Sequence, residues 1–341
     1  MGTACNPRCD RTFRSGASET GAQSYRDQPV NSDHRAARYR RINLALLALM
    51  GAATLGALLG VPILIQGDAR FGWLLLPVAL LTNFFWSLHH EAIHGNLHPD
   101  RRVNLLAGRL MAIVLGSSFH VLRFAHLMHH RFNRSPRDRP DVYDPAVSSK
   151  ATARLGFLGN LVIGVHLAEL GAPWLCWLPR PVIRRILALI FRGDDPAMIE
   201  IRRAAHRLFL DPAQLRSIRT DAFLSVALLA AAAISFAGHW PMLLAFLAGR
   251  GALISIFDNV YHFGTPIDRP HYARNLALPQ PLQLLFLNMN LHRVHHGRPS
   301  IPWWALPTQL RADGDRCDAP MLRAALAQFT GPVALSDLPK L

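Results

Sequence analysis

The chain is almost without lysine: Lys150 and Lys340 are its two, and every other fixed cation is arginine. We read this bias as that of a GC-rich bacterial genome. Charge of any kind is scarce, at 17% of 341 residues, against about 25% in an ordinary soluble domain. Hydrophobic residues make up 50% of the chain and the mean hydropathy is +0.15, which excludes a typical soluble protein and points to the membrane. Cysteine is equally sparse. Cys5, Cys9, Cys176 and Cys317 match no zinc, iron–sulfur or redox spacing, so no disulfide framework is expected. There is no haem-attachment motif and no glycine-rich dinucleotide fingerprint, so the chain carries no electron-transfer cofactor of its own. The net charge of +15 comes without a recognition helix or stacking aromatics, which excludes nucleic acid as the partner. The arginines instead flank apolar blocks, as cytoplasmic loops and lipid-headgroup contacts do.

Those blocks define an all-α integral membrane protein of about four transmembrane helices in two hairpins, with interfacial helices and a cytoplasmic histidine-rich cap. Residues 1–41 are polar and aperiodic and are expected as a disordered tail; they lack the apolar core of a signal peptide. Residues 42–310 form the membrane domain and 311–341 a C-terminal tail. The first span, Ile42–Ile65, is uncharged and long enough to cross a core of roughly 30 Å. Arg35, Arg38, Arg40 and Arg41 precede it, placing the N-terminus in the cytoplasm by the positive-inside rule. Residues 72–88 return, and a second hairpin follows over 221–237 and 242–257, its second arm interrupted by Arg250. Two further apolar stretches, 104–122 and 155–178, carry Arg109, His120, His166 and Glu169 and read as membrane-associated segments that do not cross. Histidines serving one site must face one side, and four crossings satisfy that parity.

What is abundant is histidine, with 17 residues, most of them clustered. "HHEAIH" contains His90 and His94, "HLMHH" His126, His129 and His130, and "HRVHH" His292, His295 and His296. On a helix, i, i+4 and i, i+3, i+4 spacings put the imidazoles on one face, close enough to share a metal. The first cluster also fits the H-E-x-x-H pattern of zinc peptidases, with Glu91 as base. Ligand number argues against that reading, because a catalytic zinc takes about three protein ligands and would leave the other clusters unexplained. An all-imidazole shell of this size suits two irons with open positions. Glu91 is then expected beside the ligands, orienting a neighbouring histidine ring. His98 offers an alternative i+4 register and His89 abuts the set; we prefer His90 and His94, with His89 and His98 outside the ligand set, because Pro99 is expected to end the helix.

With its clusters in the order HxxxH, HxxHH, HxxHH, the chain resembles the membrane fatty acid desaturase superfamily over roughly Ile42–Pro307, down to "HHGRPSIPWWALP" at the third box. The resemblance implies transmembrane helices capped by a cytoplasmic di-iron centre that uses O2. It also implies a ninth ligand between the last hairpin and the third box, supplied by His262 of "DNVYHFG", with Asp258 or Asn259 as a supporting partner. "PWW", with Trp303 and Trp304, is expected to be structural, as an interfacial aromatic belt. The implied activity is desaturation of an acyl lipid or thioester in a bacterial inner membrane. Electrons would come from an external ferredoxin-like donor, for which Arg202, Arg203 and Arg207 offer a basic landing surface. The segments "GNLHPDRRVNLLAG" and "FGTPIDRP" are also similar to carotenoid ketolases and hydroxylases, the alternative within the superfamily; an intramembrane zinc metalloprotease is the less favoured one.

Overall fold

The structure is a computed structural model that describes residues 29–164, 171–269 and 272–340; His166, Glu169, His271, Cys5 and Cys9 lie outside them. It is mostly helical. Helix α1 (Pro29–Leu55) runs through a π-helical turn into α2 (Val61–Gly67), and α3 (Leu75–Leu80) and α4 (Thr82–His94) return. Next come α5 (Arg101–Leu115), α6 (Phe119–Phe132), strand β1 (Val142–Tyr143), α7 (Lys150–Gly159), α8 (Arg180–Ile190) and α9 (Pro196–Phe209). The second hairpin is α10 (Pro212–Ser235) and α11 (Trp240–Asn259). It is followed by β2 (Leu276–Ala277), α12 (Gln280–Leu285), α13 (His292–Gly297), α14 (Leu306–Ala312), β3 (Ala319–Pro320), α15 (Met321–Ala327) and β4 (Val333–Ala334).

Among the described residues, four helical stretches are long and apolar enough to cross a membrane: His34–Gly67, Ala69–His94, Pro212–Ser235 and Trp240–Asn259. These are the four expected spans. Ile63, Trp73, Phe223, Ile234 and Trp240 point outward along them, an apolar exterior that water would penalise and lipid would not. Inward, Leu58, Val61, Leu75, Phe236, Leu243 and Phe246 lock the two hairpins together at the end remote from the histidines.

The stretch 104–122 is resolved into α5 and α6, which meet at 97°. Gly116, at φ 92°, makes the left-handed turn that ends α5. At Gly108 a Cβ would overlap the Phe119 ring, so glycine is what lets α6 fold back onto α5. The charge that marked this stretch is paired: Arg109 donates from Nε to Oδ1 of the fully buried Asp221 at 2.8 Å, and Ser118 donates to Oδ2 at 2.9 Å. This joins the elbow to α10 and leaves neither charge unpaired.

Three expectations on the tails and cysteines are corrected. The first helix begins at Pro29, inside the presumed 1–41 tail, because a helix nucleated by the apolar run propagates through good helix formers such as Ala36, Ala37 and Arg38. The segment 311–341 is no free tail. β3 pairs in parallel with β2, β4 pairs with β1, and Met321, Ala324 and Ala325 of α15 pack against Val260, Tyr261 and Leu276. Cys176 is a free buried thiol, whereas Cys317 is disulfide-bonded, a pairing that residue spacing did not announce.

Candidate metal centre

The three histidine boxes end three different helices. α4 closes just after His94, where Gly95 adopts φ 81° and Asn96 N–H donates to Glu91 O at 2.8 Å. Gly95, and not Pro99, is therefore the terminator, and His98 falls off the helix; its Nδ1 accepts from the Asp100 N–H at 3.0 Å instead. The second box lies on the last turns of α6 and the third on the short helix α13, while His262 sits in the turn after α11.

All nine histidines singled out in the sequence converge, in two groups. His90, His94, His126, His130 and His295 form one, and His129, His262, His292 and His296 the other; within each group the ligand nitrogens lie within 4.8 Å of one another. The closest approaches are between Nε2 atoms: 2.9 Å for His94 and His126, 3.1 Å for His129 and His262, and 3.1 Å for His130 and His295. The rings of His130 and His296 stack at 4.1 Å, so the groups abut. His89 belongs to neither group and packs between Trp86 and Phe119.

Among the described residues, both ring nitrogens of buried His90 and His296, and Nδ1 of His262, His292 and His295, have no hydrogen-bond partner, as is also true of His89 outside the groups. An orphaned buried polar atom costs about 1–3 kcal/mol, and each ring offers one nitrogen to its group, so a bound cation would offset part of that cost. Burial holds the pKa of His262, His292, His295 and His296 well below the usual imidazole value, with mutual repulsion adding to it, so these rings are neutral at pH 7 and have a lone pair to donate. A set of neutral nitrogen donors suits iron, zinc or copper and not magnesium or calcium.

The surrounding groups were less legible. Asp138 accepts from His129 Nδ1 at 2.6 Å, which fixes the tautomer that turns Nε2 inward. Burial alone would depress the His129 pKa, but the Asp138 carboxylate outweighs it and the net shift is upward. Arg134 is fully buried with φ 66°; its Nη1 donates to Asp141 at 2.6 Å and its Nη2 to Thr265 O at 2.8 Å. Asp141 also accepts from the Gly264 N–H at 2.7 Å, tying the loop after box two to the turn that carries His262. In this loop a positive φ on a buried arginine has no sequence signature.

Glu91 corrects its expectation: Oε2 accepts from the Trp303 N–H at 3.1 Å, not from a histidine ring, and Glu91 is in neither ligand group. Trp303 is structural, as expected, but as a latch rather than a belt: it is buried, donates from Nε1 to Asn43 at 3.0 Å, and meets Tyr39 edge-on, while Trp304 stacks on Tyr39 at 4.9 Å. Asp258 accepts from Trp86 Nε1 at 3.3 Å, and Asn259 donates to Gln328 at 2.7 Å, so neither bonds a ligand histidine directly. Arg202 caps the chain at Phe191 O and Gly193 O. Beside the centre, Trp86, Leu122, Ala125 and Pro140 wall a cavity of about 200 Å³ that reaches His126, His129 and His262.

Helices able to span a membrane end beside nine histidines whose nitrogens could hold metal ions in two groups, the layout of a membrane protein with a candidate metal centre. The family profile described as fatty acid desaturase matches residues 69–323, and the chain belongs to that family. Two curated relatives are similar at lower identity, both β-carotene ketolases. That of Paracoccus sp. strain PC1 is 26% identical over 258 residues, covering 70% of this chain and 81% of the relative. That of Paracoccus sp. strain N81106 / MBIC 01143 is 28% identical over 253 residues, with 70% and 82% covered.

Proposed function

We propose that this chain is an O2-dependent di-iron oxidoreductase that desaturates an acyl lipid or acyl thioester. The observation that carries the reading is the pair of histidine groups bordering a cavity that Trp86, Leu122 and Ala125 line together with polar side chains such as Asp138 and Asp258. Two irons held by the five-histidine and four-histidine groups would supply the activation of O2 that ordinary acid–base side chains cannot. The chain's own residues do the rest. Leu122 and Ala125 exclude water from the reacting carbons, Asp258 holds the Trp86 indole against them, and Asp138 keeps the His129 proton on Nδ1. Loss of one hydrogen from each of two adjacent carbons gives the alkene; an external ferredoxin-like donor supplies the electrons that, with protons, reduce O2 to water. The site faces the cytoplasm of a bacterial inner membrane in this reading, where Arg207 beside His94 and Arg123 offers the donor a basic approach.

A second reading is favoured by the two named relatives: insertion of oxygen into a carotenoid. One experiment separates them. The chain is expressed with a ferredoxin reductase system, beside a His296→Ala control, and total lipids are profiled by mass spectrometry. Acyl chains lighter by two hydrogens in the wild type alone are the expected result. Unchanged acyl chains, with oxygenated carotenoids appearing in a carotenoid-producing host, would overturn desaturation in favour of the second reading.

A further inference from the structure

Arg250 stands near the middle of α11 and is only 5% exposed. Its Nε donates to Thr82 Oγ1 at 3.2 Å and its guanidinium lies 5.2 Å from the Phe246 ring centre. Among the described residues no carboxylate pairs with it. An uncompensated guanidinium inside a membrane span is expensive, and such a residue persists where it serves a ligand or a polar path. With Nε engaged, the two terminal nitrogens remain as a planar fork of donors.

The fork has somewhere to point. Arg250 lines a cavity of about 130 Å³ whose other walls include Leu115, Leu229, Leu247 and Ile254. Trp86 and Leu122 wall this cavity and also the one of about 200 Å³ that reaches the histidines, so the two spaces adjoin. Arg250, Ile254 and Asp258 recur every four residues on α11, and His262 follows in the turn beyond, so one edge of the helix borders both spaces. From Arg250 to Asp258 the helix rises about 12 Å.

We propose that Arg250 binds an oxygen function of the substrate, a carboxylate, carbonyl or hydroxyl, carried on an apolar chain that lies through both cavities toward the histidines. A hydrocarbon without such an oxygen leaves the guanidinium unpaired and is disfavoured for that reason. This rests on the proposed function for which end of the chain is oxidised. The binding step itself does not depend on turnover.

The test reads binding alone. The full-length protein in lipid nanodiscs, without an electron donor, is photolabelled with three chains of equal length bearing a mid-chain diazirine: a carboxylic acid, a methyl ketone and an alkane. Labelled peptides are mapped by mass spectrometry. Labelling around Trp86, Leu122 and Ile254 by the acid or the ketone should exceed that by the alkane by roughly tenfold or more, the size expected for a hydrogen bond to a charged donor. Arg250→Gln should erase the preference and Arg250→Lys retain part of it. Gly251→Leu is the independent arm: a Cβ there meets nothing within 4 Å, so the side chain grows into the cavity and should suppress all three labels. Acid over ketone would identify a carboxylate, and equal labelling by the two a neutral oxygen. Equal labelling by the alkane, or a preference unchanged in Arg250→Gln, would overturn the proposal. A protein that binds the oxygenated probe but leaves acyl chains unoxidised would sink the proposed function and leave this inference standing.

Discussion

Asp138 Oδ2 lies 2.6 Å from His129 Nδ1, the one hydrogen bond in the centre between a carboxylate and a ligand-group histidine among the described residues. Replacing it with Asn exchanges an acceptor of fixed charge for an amide that can present either end, so the ring loses its enforced tautomer. Asp138→Asn should lower metal affinity by about 10–100-fold, read by competition with a chelator of known affinity, while the far-UV circular dichroism stays unchanged. Affinity equal to wild type would show that the ring needs no orienting partner.

Arg134 and Asp141 have fully buried side chains 2.6 Å apart. Removing one partner strands the other charge, and breaking such a pair costs about 3–5 kcal/mol. Arg134→Met should therefore unfold at markedly lower temperature in detergent than wild type. It should also lose metal first from the group containing His262, since Asp141 holds Gly264 through its N–H. A thermal midpoint within a degree or two of wild type would mean that the pair is not the lock described.

The latch at Trp303 is separable from the metal. Trp303→Phe keeps a ring against Tyr39 but deletes the Nε1–H donated to Asn43 along with part of the buried indole. Leaving the buried Asn43 oxygen unsatisfied should cost about 1–3 kcal/mol by denaturant titration, with metal stoichiometry preserved. A drop in metal content would show that the latch also shapes the site.

Acid should destabilise the metal-free protein. The pKa values of His262, His292, His295 and His296 are lowered by burial, so the unfolded chain takes up protons near pH 6.5 where the folded chain resists them. Stability is thus fully present above that pH and falls as pH drops below it. His129, whose pKa is raised, has the opposite sign and partly offsets the loss in that window, being one ring against four. Thermal midpoints of the apo-protein measured between neutral and mildly acid pH should fall monotonically; a rise would contradict the burial argument.

The convergence of the histidines was legible because its signal is local. An i, i+4 or i, i+3, i+4 repeat of one side chain survives in sequence, and His90, His94, His126, His129, His130, His292, His295 and His296 all converge where that periodicity put them. His262 had no periodic partner and came only from the family resemblance. What failed was long-range or conformational. Asn43 and Trp303 are 260 residues apart, Glu91 chose a backbone N–H brought to it by the third box, and Arg134 needed a left-handed backbone. The four spans were legible from length and hydropathy, whereas the elbow at Gly116 and the packing of 319–338 depend on contacts that no single stretch encodes.

The parallel pairings of Val142 with Val333 and Leu276 with Ala319 set an order of events during synthesis. Every histidine of the centre precedes both partner strands in the chain and so emerges before them. The nascent protein thus holds its complete donor set while the wall formed by α15 and Gln328 against Val260 and Asn259 is still missing. Access to the histidines is widest in that interval, and α15 with Gln328 narrows it.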